Sequence, residues 1–229
     1  MSKIGFSDDN LEIRRAVAIL RENSYHVPVV YGNLTNALNS LKAGEIDCLV
    51  GGHDITTKEF LKEVFGSIKP IGRVYSYSVL SKNGKTLYFA DSGVNPTHTE
   101  EQLVELEGAL IKELKPFLDC FEMTRVGYKT EGNVMQLDAA LDAAIAKKKG
   151  ITDFKEKNVL VFPDLNSANL AYKITQRLGG YSHAGPILLN TGYPISDLSR
   201  GADAQEIFNT AKYLGDLTAN KKLADKIMG

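Results

Sequence analysis

The 229-residue chain is 43% hydrophobic and 24% charged, an ordinary globular balance with enough length to bury a sizeable core. Its 27 basic and 28 acidic side chains leave a net charge of −1, which argues against a polyanion-binding or membrane-binding surface. No nucleic-acid or membrane partner is therefore expected, and any anion site has to be local. The N-terminal stretch lacks an apolar signal core, and no apolar run approaches the ~20 residues of a membrane span, so a cytoplasmic protein is expected. Cys48 and Cys120 have no CxxC partner and are read as reduced core residues. His26, His53, His98 and His183 show no ligand spacing, so no metal is expected.

In chain order, a short strand at Lys3–Phe6 precedes a helix from Leu11 to Asn23, with Asp8 or Asp9 as its cap and Ile13, Val17 and Leu20 on one face. Strand Val27–Tyr31, helix Leu34–Ala43, strand Asp47–Val50 and helix Thr57–Phe65 follow. Such alternation predicts a parallel sheet, because parallel strands need crossover helices. Gly72–Leu80 and Thr86–Ala90 then read as a hairpin turned at Asn83-Gly84. Helix Glu100–Phe117, a weak strand at Phe121–Val126, helix Leu137–Lys149 and strand Asn158–Phe162 come next. The chain ends with helix Ala168–Leu178, strand Pro186–Leu189, helix Asp203–Leu217 and a Lys-rich tail.

Ligands of open α/β proteins bind beyond the carboxyl ends of the strands, which singles out three loops. Gly51-Gly52-His53-Asp54-Ile55-Thr56-Thr57 offers backbone amides and two hydroxyls at a helix start, although a tight turn with a cap explains it as well. Pro163 to Asn169, followed by Lys173, offers Asn166, Ser167 and Asn169, with Asn166 or Ser167 equally suited to cap the helix. Asp197-Leu198-Ser199-Arg200-Gly201-Ala202-Asp203 combines a forked guanidinium with a helix start, a good phosphate cradle. Glu206 fits a capping box with Asp203, and it also fits a base one turn from Arg200. His53 and His98 lack an evident charged partner and are expected to be solvent-exposed.

The run Asn158–Leu178 resembles the VFPDLN-x-GN-x-x-YK-x-x-QRL signature of the phosphate acetyltransferase and butyryltransferase family. Gly185–Gly201 is similar to the same family's GPI…P-x-NDLSRG motif. Shorter similarities lie at Phe89–Gly93, Leu137–Ala140 and Gly44–Gly52, and Thr57–Lys62 leans toward the butyryl branch.

The resemblance implies an α/β fold of two three-layer α/β/α domains with a cleft between them, an isopropylmalate-dehydrogenase-like architecture. The first domain would hold residues 1–70 and 196–229, the second residues 71–195. It further implies a homodimer that moves an acetyl or short acyl group between coenzyme A and inorganic phosphate. Coenzyme A would be a substrate, with no tightly bound cofactor. Carried over by position, Ser199 and Arg200 hold the phosphoryl group and Glu206 deprotonates the thiol. Thr56, Thr57, Lys62, Asn166, Asn169, Lys173 and Asp138 are substrate contacts.

The departures are equally specific. Between Asn33 and Gly44 the chain skips a family region that bears another active-site Arg. A second gap falls between Tyr128 and Gln136, and the coenzyme-contacting loop has no clear counterpart. The alternative expectation is a non-catalytic relative that binds phosphate or acyl phosphate as a regulatory or partner subunit.

Overall fold

A computed structural model describes residues 1–228. The fold is mixed α/β, and it divides into two compact units, Met1–Val74 with Ser182–Gly229, and Tyr75–Tyr181. The first unit opens with β1 (Lys3–Phe6), α1 (Leu11–Asn23), β2 (Val27–Val30), α2 (Leu34–Lys42), β3 (Cys48–Gly51) and α3 (Thr57–Ser67). Each helix starts on a side chain that satisfies a free amide of its first turn. Asn10 caps α1 by accepting from Ile13 N–H, so neither Asp8 nor Asp9 takes that place. Thr56 and Glu59 close a reciprocal capping box on α3.

The second unit begins with β4 (Tyr75–Lys82) and β5 (Lys85–Ala90), joined at Asn83 and Gly84 with φ of 51° and 78°. Positive φ at both turn positions suits the twist of a tight hairpin, and Asn-Gly tolerates it best. Helix α4 (Glu100–Leu114) tightens into a 3-10 turn at Lys115–Phe117, where Pro116 removes an amide. Then come β6 (Met123–Gly127), β7 (Val134–Gln136), α5 (Leu137–Leu141), α6 (Ala143–Lys148), β8 (Val159–Val161) and α7 (Leu165–Arg177). Within this unit the strands run β4-β5-β8-β6-β7, parallel except for the hairpin. Leu80, Leu87, Phe89, Val126, Leu160, Phe162 and Tyr172 form its core.

The chain returns to the first unit through β9 (Ser182–Leu189), β10 (Ile195–Asp197) and α8 (Ala204–Met228). Its strands run β2-β1-β3-β10-β9, parallel until the last antiparallel pair. Strand β10 lies beside β3 with Asp197 opposite Gly51, and β1 puts Phe6 opposite Val50. Three chain segments therefore leave the sheet together at its carboxyl edge, after Phe6, Gly51 and Asp197.

Several expectations change. The resemblance puts residues 182–195 in the second domain; in the structure β9 pairs with β10 and packs on α8, and the segment from Ser182 onward groups with the first unit. The helix expected over Leu137–Lys149 breaks at Asp142, whose carboxylate accepts from Ala144 and Ile145 N–H and starts a new helix. Asp164, not Asn166 or Ser167, caps α7. The Lys-rich tail continues α8 to Met228, and Cys120 is exposed while Cys48 is buried.

One buried cation organises the second unit. Arg125 on β6 is 5% exposed, forks onto both carboxylate oxygens of Glu107 at 2.7 and 2.9 Å, and also donates to Glu100. Removing one partner of such a pair strands the other charge. Arg125→Ala is expected to cost about 3 kcal/mol in urea unfolding; a loss indistinguishable from zero would mean that solvent screens the pair.

Candidate active site

The carboxyl edge of the first unit's sheet is built around two glycines. A Cβ on Gly51 would stand 2.0 Å from Ser7 Oγ, and one on Gly52 would stand 2.2 Å from Asp197 Oδ1. Gly52 also has φ of +87°, which a side chain would strain. Side chains from the ends of β1 and β10 fill the room left by the missing Cβ atoms.

The turn after β3 is tied down on every side. Ser7 Oγ donates to Asp8 Oδ2 at 2.8 Å, and Asp54 N–H donates to Asp8 Oδ1 at 3.2 Å. Asn10 Nδ2 donates to Asp54 Oδ1 at 2.7 Å. His53 sets Nε2 against the Ala202 carbonyl and Nδ1 against Asp54 Oδ1, both at 3.0 Å. Its ring is 13% exposed and pairs with Asp54, contrary to the expectation of an exposed, partnerless histidine. Burial works against charge on the ring, but the hydrogen bond with Asp54 outweighs it, with help from the Ala202 carbonyl, and the pKa rises.

Beyond β10, Leu198 N–H donates to Gly51 O at 2.6 Å and carries the chain past the start of α3. Ser199 and Arg200 are exposed on the following turn, which Ala202 N–H closes onto Ser199 O. Among the described residues Arg200 takes no ion-pair or hydrogen-bonding partner, and its charge reaches Glu59 only as a minor influence. Glu206 is 8% exposed and completes the capping box: its N–H donates to Asp203 Oδ1 at 2.9 Å, and its Oε2 accepts from Asp203 N–H at 3.2 Å. Glu206 Oε1 also lies 3.9 Å from His183 Nδ1.

Asp197 is the unusual group. It is 4% exposed, and its Oδ1 is buried with no hydrogen-bond partner. Burial pushes its pKa up to about 7, the Thr57 hydroxyl pulls it down, and the charge of Asp8 adds to the rise. A carboxylic acid that shares this environment stays half-protonated near neutrality.

Six of the residues named from the sequence lie in this unit: Thr56, Thr57, Lys62, Ser199, Arg200 and Glu206. Thr56 commits its hydroxyl to the cap, accepting from Glu59 N–H and donating to Glu59 Oε2 at 2.6 Å, which leaves Thr57 as the exposed hydroxyl of that start. Lys62 projects from α3 one turn further on. Asn166, Asn169, Lys173 and Asp138 belong to the second unit. Asn169 Nδ2 donates to Ser92 O at 3.3 Å, Asn166 and Lys173 are exposed on α7, and Asp138 is ion-paired with Lys149 at 2.6 Å.

Asp197, which opens the Asp-Leu-Ser-Arg-Gly run, and Asp8, which the sequence offers only as a helix cap, are not among the expected site residues. Nor does the sequence show a buried pair in the second unit. The His98 ring is fully buried, with Nδ1 on the Pro163 carbonyl at 3.2 Å and Nε2 at 3.6 Å from Asp91 Oδ2, an ion-pair contact too long for a hydrogen bond. Asp91 raises the His98 pKa, so the ring is neither exposed nor partnerless.

The sequence model described as "Phosphate acetyl/butaryl transferase" matches residues 14–133 and 107–214. The chain belongs to that family. A phosphate acetyltransferase of Mycoplasma capricolum subsp. capricolum is 28% identical over 89% of this chain and 75% of its own length. One of Corynebacterium glutamicum is 32% identical over 73% of this chain and 60% of its own length, so the chain spans well under the whole of some of these transferases. Among solved structures, a phosphotransacetylase from Streptococcus pyogenes superposes with a TM-score of 0.78 at 21% identity, covering 96% of this chain and 94% of that one. A branched-chain phosphotransacylase from Enterococcus faecalis gives 0.79 at 16% identity, covering 95% and 99%. At those identities the likeness establishes the transferase fold.

Asp197 gives the site a stability signature. The folded chain holds its proton between pH ~4 and ~7 where the unfolded chain has lost it, so stability falls as pH rises through that window and levels off above it. Asp197→Asn removes the penalty. Its advantage over wild type in thermal unfolding should grow between pH 4.5 and 7.5 by on the order of 3 kcal/mol; an offset that does not change with pH would place the titration elsewhere.

Proposed function

We propose that this chain transfers an acetyl or other short acyl group between coenzyme A and inorganic phosphate, with the phosphoryl group seated on the turn of Ser199 and Arg200. The reading rests on the exposed guanidinium of Arg200 near the start of α3, which takes no ion-pair partner among the described residues. Arg offers a planar fork of donors to phosphoryl oxygens, and the first amides of α3 with the Thr57 hydroxyl add neutral donors. Such donors count most where charge develops during acyl transfer.

Glu206 serves as the base in this proposal. A coenzyme thiol with pKa about 8.5 is mostly protonated at neutral pH, and the thiolate is the nucleophile, so a nearby carboxylate that accepts the proton speeds attack on the acyl carbon. In the reverse direction phosphate attacks the thioester carbon and the thiolate leaves. Lys62, Asn166, Asn169, Lys173 and Asp138 enter as substrate contacts. The two-domain arrangement of three-layer units, a homodimer and a cytoplasmic setting belong to the same proposal. It includes coenzyme A as a dissociable substrate and no tightly bound cofactor. Among the described residues no helix is long and apolar enough to cross a membrane. The similar proteins carry the name of the enzyme rather than of a binding subunit, which favours catalysis over the non-catalytic alternative.

Thiol release from acetyl-CoA or butyryl-CoA in the presence of phosphate tests the reading. Arg200→Ala is expected to lower kcat/KM at least ~100-fold, about 3 kcal/mol of transition-state stabilisation. Absence of thiol release by the purified wild-type chain with any short acyl-CoA, or full activity in Arg200→Ala, would overturn it.

A further inference from the structure

The turn of Ser199, Arg200 and Gly201 is exposed, and backbone anchors it at both ends. On one side Leu198 N–H donates to Gly51 O at 2.6 Å; on the other Ala202, 6% exposed, closes the turn through its N–H on Ser199 O at 3.0 Å. Ile207 N–H donates to Asp203 O and Glu206 N–H turns to Asp203 Oδ1, so the Ala202 carbonyl stands outside the backbone ladder of α8. It faces His53 Nε2 at 3.0 Å, a contact between residues 149 positions apart.

The ring's protons follow from what faces each nitrogen. A backbone carbonyl only accepts, so Nε2 carries a proton and donates it to Ala202 O. Nδ1 faces Asp54 Oδ1 and Asn10 Nδ2, both at 3.0 Å. Asn10 Oδ1 accepts from Ile13 N–H at 3.0 Å, which fixes Nδ2 as the end turned to the ring. Nδ1 can thus donate to Asp54 or accept from Asn10, and the Nε2 proton stays on Ala202 O in either case. The cap of α1, the turn after β3 and the turn after β10 meet on this one ring.

Arg200 depends on such anchoring. Its guanidinium takes no ion-pair or hydrogen-bonding partner among the described residues, so the backbone sets where it stands before a ligand arrives. A donor already in place loses less freedom on binding. Resting on the phosphate-binding reading above, we propose that His53 is a positioning residue: its Nε2–H clamps the Ala202 carbonyl and so holds Ser199 and Arg200 where a phosphoryl group meets them. No bond is made or broken and no proton is transferred. Loss of the donor leaves a buried acceptor without a partner, and the turn regains that bond only by shifting toward water.

Two variants separate the two sides of the ring. His53→Gln keeps an amide donor at the reach of Nε2, whereas His53→Asn keeps one only at the reach of Nδ1, beside Asp54. The full chain is titrated by calorimetry with inorganic phosphate and, separately, with coenzyme A, with KM for phosphate in parallel. His53→Asn is expected to bind phosphate about tenfold more weakly, the worth of one hydrogen bond to a buried acceptor, with coenzyme A affinity within about twofold of wild type. His53→Gln is expected to recover phosphate affinity to within about threefold of wild type. Unchanged phosphate binding in His53→Asn, equal losses in the two variants, or parallel losses of phosphate and coenzyme A, the mark of a general structural role, overturn the proposal. If the variants fail to fold, nitrogen NMR of the wild-type ring decides. A proton on Nε2 whose exchange slows when phosphate is added supports the clamp; an unprotonated Nε2, or exchange that phosphate does not slow, overturns it. Failure of the phosphate-binding reading looks different: wild type then binds no phosphate and is matched by Arg200→Ala, and the two proposals fall together.

Discussion

The close approach of side chains to backbone at Gly51 and Gly52 is the constraint on which the first unit's site depends. Three parallel strands end side by side, and the middle one ends in two residues that have no Cβ. Ser7 from one neighbour and Asp197 from the other occupy the room so created. Leu198 N–H donates to Gly51 O at 2.6 Å, continuing the pairing of β10 with β3 and fixing where the Ser199–Arg200 turn leaves the sheet. An acid placed this way loses its water and gains little in return, a cost that the rest of the unit has to offset. Strand β10 is held there by parallel pairing with β3 and by Ser196 Oγ, which donates to Pro186 O at 2.8 Å.

Two buried aspartates show how the donor count, rather than depth, sets the charge state. Burial acts to raise the pKa of Asp91, but His98, Ser76 and Asn95 outweigh it and the pKa falls. Its Oδ1 takes the Ser76 hydroxyl and the Ser76, Gly93 and Val94 amides, while its Oδ2 takes the Asn95 amide and side chain. Asp197 has only the Thr57 hydroxyl and the adverse charge of Asp8, and its pKa rises. A carboxylate saturated with donors anchors a loop; one left short of donors holds a proton it can respond with. The buried acid of the second unit thus serves structure, while Asp197 in the first unit is left short of donors.

Much of this was legible in the residues and part was not, for reasons that are local in one case and long-range in the other. The Asn83-Gly84 turn, the α1 stripe and a capped turn before α3 are encoded within a few positions, so the sequence pattern shows them. Strands β7 and β10 are three residues each, too short for an alternation to register, and exist because β6 and β3 supply partners. Ser199 and Arg200 announce themselves by type. Asp197 does not, since its distinction is its close approach to Gly52, which lies far away along the sequence. His98 and His53 look exposed in a polar loop; Asp91, the Pro163 carbonyl and the Ala202 carbonyl, brought near by folding, make them buried and partnered.

Glu206 has a structural role in the cap of α8 that bears on the role proposed for it. A carboxylate has about four acceptor sites on two oxygens. The cap uses Oε2, through Asp203 N–H, while Oε1 is the oxygen nearer His183. The capping bond therefore fixes the carboxylate's orientation through one of its oxygens. In the proposal that makes Glu206 the base, such an anchor helps, because the rotamer entropy is lost on folding rather than at the moment of reaction. Helix α8 begins at Ala204, just beyond the turn that carries Arg200, so the cap that starts the helix also fixes where the Glu206 carboxylate stands relative to that turn.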